Sequence, residues 1–199
     1  MSETSHQYTA EESKKIEAIA GHMKAIMELL GEDTAREGLI KTPMRSARAL
    51  WYLTSGYRTD ASEIISKALF THEGSQMVIV KDIEYYSMCE HHILPFFGKI
   101  SIGYIPDGKI IGLSKLARVV NTYARRLQVQ ERLTAQVCNE IFHTAGVKGV
   151  IAVSNAHHMC MKMRGVEKQE STTSTVDFVG VFETDSALRQ EFFNSLKAL

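Results

Sequence analysis

Residues 76–86, QMVIVKDIEYY, decide the fold. The chain before them reads as helix, whereas here β-branched and aromatic residues crowd together, the composition of a strand. Residues 97–105, FGKISIGYI, repeat the signal: Ile100, Ile102 and Tyr104 alternate with Lys99, Ser101 and Gly103. Alternation at period two buries one face of a strand. Pro106-Asp107-Gly108 then reads as a turn. Two helical patterns follow, Leu113, Leu116, Ala117, Val120, Ala124 and Leu127, then Leu133, Val137, Ile141 and Ala145 before Gly146. A third strand is expected near 148–160, a fourth near 172–183, and a last helix near 186–197 with Leu188, Phe192 and Leu196 on its apolar face. The order β-β-α-α-β-β predicts an α+β fold, an antiparallel sheet with helices on one face.

Upstream, Thr9 and Glu12 have the form of a capping box, and Ile16, Ile19, Ala20, Met23, Ile26 and Leu30 follow helical spacing up to Gly31. Thr42-Pro43 opens a second helix with Ala47, Leu50 and Trp51 buried and Gly56 as its end. Residues 61–70 suit a short third helix. The expected organisation is a helical region over 1–74 and a catalytic domain over 75–199, one structural unit overall.

The chain has 199 residues, 44% hydrophobic and 23% charged, enough to build a core and too apolar for a disordered chain. Lys and Arg number 23, as do Asp and Glu, which argues against a broadly basic nucleic-acid binder. No apolar run approaches ~18 residues and the N-terminus lacks a signal-peptide core, so the expectation is a cytoplasmic protein with no membrane partner. Three cysteines do not suggest a disulfide framework; in a reducing compartment they are metal ligands, nucleophiles or core.

Two clusters carry the chemistry. Cys89-Glu90-His91-His92 has a Cys-x-x-His spacing that a tight loop can turn onto one ion; two surface histidines beside a half-buried cysteine is the plain alternative. His157-His158-Met159-Cys160 continues to Lys162 and Arg164. If this segment stays extended, 158, 160, 162 and 164 share one face, a poor core and a good wall for a metal-containing anion site. Cys89, His92 and Cys160 make a Cys2His set that leaves the fourth position of zinc to water, with His91 and His158 free for proton transfer. A closed four-ligand zinc that uses His91 or His158 stays open as an alternative. Cys138, beside Val137 and Ile141, reads as core.

Ser114, Lys115 and Arg118 stand at an expected helix start, where Ser114 can cap and phosphate is attracted; a solvated basic face is the common alternative. Glu131, between Gln130 and Arg132, pairs with Arg132, sits in a first helical turn, or takes the N1–H and 2-amino group of a guanine, donors that adenine does not offer.

These residues together resemble the GTP cyclohydrolase I family. The resemblance runs from about Thr42 to the C-terminal part of the chain. It rests on Thr42-Pro43-x-Arg45, Cys89-Glu90-His91-His92, Gly112-Leu113-Ser114-Lys115, Gln128 to Thr134, His158-x-Cys160-x-x-x-Arg164-Gly165 and Ser171 to Thr175. It implies the tunnelling fold and a zinc (Zn2+) cofactor on Cys89, His92 and Cys160. It also implies hydrolysis of GTP at C8 of the purine, with loss of formate and rearrangement to 7,8-dihydroneopterin triphosphate, the first step of tetrahydrofolate biosynthesis. His91 and His158 then match general acid/base residues. Glu131 matches the guanine-reading carboxylate, with Gln130 beside it. Ser114, Lys115, Arg118 and Arg164 match triphosphate contacts. Arg45 and Arg48 match phosphate contacts contributed by a neighbouring subunit of a homodecamer, two stacked pentamers. Arg48 stands where many members have lysine, Leu127 where proline is frequent, and His157 doubles the histidine beside it. Other tunnelling-fold activities, a pterin synthase or a nitrile reductase, lack this pairing of Cys-x-x-His with a distant His-x-Cys.

The zero net charge hides a local field. Residues 109–132 hold six basic residues (Lys109, Lys115, Arg118, Arg125, Arg126, Arg132) and one acid, Glu131, while residues 1–37 hold eight acids and four bases.

Overall fold

The computed structural model describes residues 8–197, and the chain divides into two compact units, Met1–Thr54 and Ser55–Leu199. The sequence placed the end of the helical region at residue 74. Residues 55–74 instead belong to the second unit, where Ile65, fully buried, joins the core of the sheet.

The first unit is a pair of helices, α1 (Ala10–Leu29) and α2 (Thr42–Leu53). Thr9 caps α1 in a complete capping box: its hydroxyl accepts from the Glu12 N–H, and the Glu12 carboxylate accepts from the Thr9 N–H. Ile16 and Ala20 of α1 and Ala47 of α2 form the buried seam, flanked by Tyr8, Ile19, Met44 and Trp51. Lys41 is the N-cap of α2, and Pro43 sits in its first turn, where a missing N–H costs nothing.

The second unit contains α3 (Ala61–Ser66), β1 (Leu69–Thr71), β2 (Val78–Cys89), β3 (Pro95–Ile105), β4 (Lys109–Ile111), α4 (Leu113–Ala124), β5 (Leu127–Gln128), α5 (Gln130–Ala145), β6 (Gly149–His158), α6 (Met159–Lys162), β7 (Thr173–Gly180), α7 (Val181–Thr184) and α8 (Ser186–Lys197). The main sheet has the order β5-β2-β3-β6-β7. Its four long strands are antiparallel neighbours, and only the two-residue β5 runs parallel, beside the end of β2. The expected β-β-α-α-β-β order is therefore observed, with the short elements β1, β4, β5, α6 and α7 added to it. β1 and β4 pair as a separate two-stranded sheet, and β1 occupies residues that the periodicity had assigned to the end of the third helix.

Helices α4 and α5 cover one face of the sheet. Leu116, Val119, Val120, Leu133, Val137 and Ile141 pack there on Ile83, Tyr85, Ile100, Ile102, Tyr104, Val150 and Ala152. Cys138 is fully buried in this layer, as its apolar neighbours predict, and its thiol donates to the Asp177 carbonyl. Gly146 ends α5 in the left-handed conformation (φ 65°), where a Cβ is unfavourable. The expectation of helices on one face only is corrected by α8. Its Phe192 is fully buried with Ile105, Ile151 and Phe182 on the opposite face. Gly103 admits it there, since a Cβ at that position would lie 2.7 Å from the Phe192 ring. No helix of the described residues is long and apolar enough to cross a membrane.

Candidate metal centre and active site

The loop between β2 and β3 is five residues long and closes tightly. The Cys89 N–H donates to the Leu94 carbonyl, and the Cys89 carbonyl accepts from His92 and Ile93. Ile93 has φ 55°, a strained conformation for a β-branched residue. This turn folds His92 back, so that its Nδ1 lies 3.8 Å from the Cys89 sulfur. His91 Nδ1 stands at the same distance from that sulfur, with its Nε2 3.9 Å from the Glu90 carboxylate.

Cys160 arrives from the other side of the sheet. β6 pairs with β3 as far as Phe96↔His158, and no further, because β3 begins at Pro95. Without a partner strand the chain leaves the sheet and turns into α6. The structure thus overturns the extended row of 158, 160, 162 and 164: Cys160 and Lys162 lie in a helical turn, and Arg164 follows it in an exposed segment. The turn still delivers the thiol. Cys89 Sγ, a nitrogen of His92 and Cys160 Sγ all lie within 4.8 Å of one another. In a tetrahedral zinc site with bonds of ~2.0–2.3 Å, ligand atoms stand roughly 3.5–3.8 Å apart, so this set closes on an ion with small side-chain adjustments. Two thiols and an imidazole are also the soft donors that zinc prefers. Burial and the neighbouring Cys89 push the free Cys160 thiol up, the state that a cation reverses.

Helix α5 braces this loop. The Glu90 N–H donates to the Gln128 carbonyl, next to the parallel pairing of β5 with β2. The Glu90 carboxylate receives both terminal nitrogens of Arg132, at 2.5 and 2.9 Å. Arg132 holds the Glu90 carboxyl below the usual carboxylate range. The sequence offered Glu131 as a partner for Arg132; the observed partner is Glu90, and the Glu131 side chain is exposed.

His158 is half-buried. Its ring lies flat on Phe96, with centroids 4.6 Å apart and planes 3° from parallel. Its Nε2 is 2.8 Å from Gln130 Oε1. Burial pushes this imidazole down, against the upward pull of Glu131. His157, one residue earlier, faces the other side of the sheet beside Phe97. Gln130 is 1% exposed and donates to the Ser154 and Thr173 carbonyls.

The chain matches the model of GTP cyclohydrolase I over residues 19–197. It belongs to the GTP cyclohydrolase I family. A relative named GTP cyclohydrolase 1 from Porphyromonas gingivalis is 58% identical over 173 residues, 87% of this chain and 89% of that one. Its namesake in Parabacteroides distasonis is 54% identical over 182 residues, covering 91% and 92%. One from Bacteroides fragilis is 52% identical over 185 residues, covering 93% and 95%. An archaeosine synthase QueF-Like structure in the apo form covers 54% of this chain and 97% of that one. Its TM-score is 0.46 at 16% identity, too distant a likeness to bear on fold or function.

In this member of the GTP cyclohydrolase I family, the remaining expected residues are less tightly built in. Ser114 and Lys115 lie in the first turn of α4 and Arg118 one turn on. Their side chains make no hydrogen bond or ion pair among the described residues. Gly112, not Ser114, is the N-cap, which corrects the expected capping role. Arg164 is exposed and close enough to Cys160 to draw its thiol down. Arg45 and Arg48 are exposed on α2 of the first unit. Sequence reasoning missed Phe96 and the Glu90–Arg132 pair. Glu90 lay inside a quoted motif, but nothing local marked Arg132 as its partner.

Proposed function

We propose that the chain is a zinc-dependent GTP cyclohydrolase I, a hydrolase of C–N bonds in cyclic amidines. It opens the imidazole ring of GTP, releases C8 as formate and yields 7,8-dihydroneopterin triphosphate, the first step of tetrahydrofolate and pterin biosynthesis. The observation that carries this reading is the meeting of Cys89, His92 and Cys160 within 4.8 Å in a chain of that family. Three protein ligands leave a fourth position open, as in catalytic zinc sites. When bound, zinc supplies the Lewis acidity that makes water a nucleophile near neutral pH.

The chain's own residues do the rest. His158, held flat on Phe96, and His91, on the exposed loop, move protons to and from the purine and the opened ring. Glu131 accepts the N1–H and 2-amino protons of guanine and so rejects adenine. Ser114, Lys115 and Arg118 on α4, with Arg164, bind the triphosphate, aided by the N-terminal end of the helix. Arg45 and Arg48 reach the triphosphate of a neighbouring subunit's site. The catalytic region adopts the tunnelling fold and assembles as a decamer of two stacked pentamers in the cytoplasm, its open sheet edges pairing between subunits.

Incubation with GTP, then oxidation, should give a fluorescent pterin that a zinc chelator abolishes and added zinc restores. Pterin formation by metal-free protein overturns the zinc dependence, and none from zinc-loaded protein overturns the activity.

A further inference from the structure

Gln130 entered as a substrate contact beside Glu131, but its surroundings give it a different task. The side chain is 1% exposed, and each of its polar atoms is engaged. Nε2 lies 3.0 Å from the Ser154 carbonyl and 3.0 Å from the Thr173 carbonyl. Carbonyl oxygens only accept, so the end of the amide facing β6 and β7 is its NH2, with both protons spent. The opposite end, Oε1, is therefore an acceptor fixed in place, and it stands 2.8 Å from His158 Nε2. An amide oxygen cannot donate, so the hydrogen in this contact belongs to the imidazole.

We infer that Gln130 is a positioning residue that fixes His158 as the Nε2–H tautomer and leaves Nδ1 as the nitrogen that exchanges a proton with the substrate. Two independent restraints hold the ring. Stacking on Phe96 sets its plane. The Gln130 oxygen then selects between the two faces, because a half-turn of the ring would bring a C–H against that oxygen. Nδ1 has no hydrogen-bond partner among the described residues, and His158 offers no side-chain cap to α6. The two carbonyls that orient the amide come from neighbouring strands, Ser154 of β6 and Thr173 at the start of β7. Sheet pairing thus sets the tautomer of a proton-transfer group. This rests on the proposed cyclohydrolase reading only for its kinetic consequence.

The direct test is the imidazole 15N spectrum of the intact zinc-loaded protein at about pH 8.5, above the ordinary histidine pKa of ~6.5. The His158 signals are assigned by their loss in His158→Asn. Protonated Nε2 and bare Nδ1 are expected; a protonated Nδ1 overturns the inference. In kinetics, Gln130→Met removes the acceptor and should lower kcat roughly 10–100-fold, with KM for GTP and bound zinc little changed. A Gln130→Met protein with normal kcat and a raised KM would mean that Gln130 meets substrate directly, and would overturn the positioning role. If Gln130→Met does not fold, the wild-type spectrum still decides. If zinc-loaded wild type makes no pterin, the cyclohydrolase reading fails, while the spectrum still reads the tautomer.

Discussion

Around His158 the side chain of Gln130 has no free polar atom, and Glu90 is clamped by Arg132. Along the first turns of α4, by contrast, the side chains of Ser114, Lys115 and Arg118 reach no partner among the described residues. The first region is finished by folding: donors and acceptors are spent on holding the loop of Cys89 and His92 and the His158 imidazole in place. The second keeps its hydrogen-bonding capacity and its charge unspent. A centre that must place ligand atoms to a fraction of an ångström needs the former construction, whereas a polyanion needs cations that folding has not neutralised.

The largest expected effect breaks the prebuilt region at its centre. Cys160→Ala removes one of three ligands, so metal content by atomic spectroscopy and pterin formation should fall together to background. Retained zinc with lost activity would place the metal elsewhere. Next is the clamp. Arg132→Met frees Glu90 without touching a ligand, and should cost roughly 10–100-fold in zinc affinity or kcat. Competition with a chromogenic chelator measures the first, and steady-state kinetics the second. Lys115→Ala should act differently, raising KM for GTP about tenfold, ~1.4 kcal/mol, with zinc content unchanged. If Lys115→Ala also lost zinc, the separation of the two regions would fail.

What could be read from the sequence divides along the same line. The meeting of Cys89 and His92 was legible because a single loop sets their geometry, and the start of α4 was legible because it too is local. The path of Cys160 was not. An extended row through Arg164 assumed that β6 continues past His158, but a strand continues only while it has a neighbour, and Pro95 ends the supply. Nothing between His158 and Gly165 marks that break, because the cause lies on β3. The stacking of Phe96 under His158 and the Glu90–Arg132 pair depend in the same way on sheet register and helix placement. The strands β1 and β4 have three residues each, too few for a period to show. The placement of α8 on the second face rests on Gly103, a residue whose absent side chain carries no pattern.

The smallest expected effect is the sharpest test of the unspent region. As an N-cap, Ser114 would contribute about 1 kcal/mol to stability, within a range of roughly 0.5–2 for the change to Ala. Gly112 holds that position, and the Ser114 hydroxyl makes no hydrogen bond among the described residues. Ser114→Ala should therefore leave the thermal midpoint unchanged, since exposed substitutions away from caps stay within about 0.5 kcal/mol. Its only loss should be one hydrogen bond to a bound phosphate, seen as a KM for GTP raised about threefold, ~0.7 kcal/mol. A drop in thermal stability without a change in KM would return Ser114 to the scaffold, and with it the claim that folding leaves this turn of α4 free for an anion.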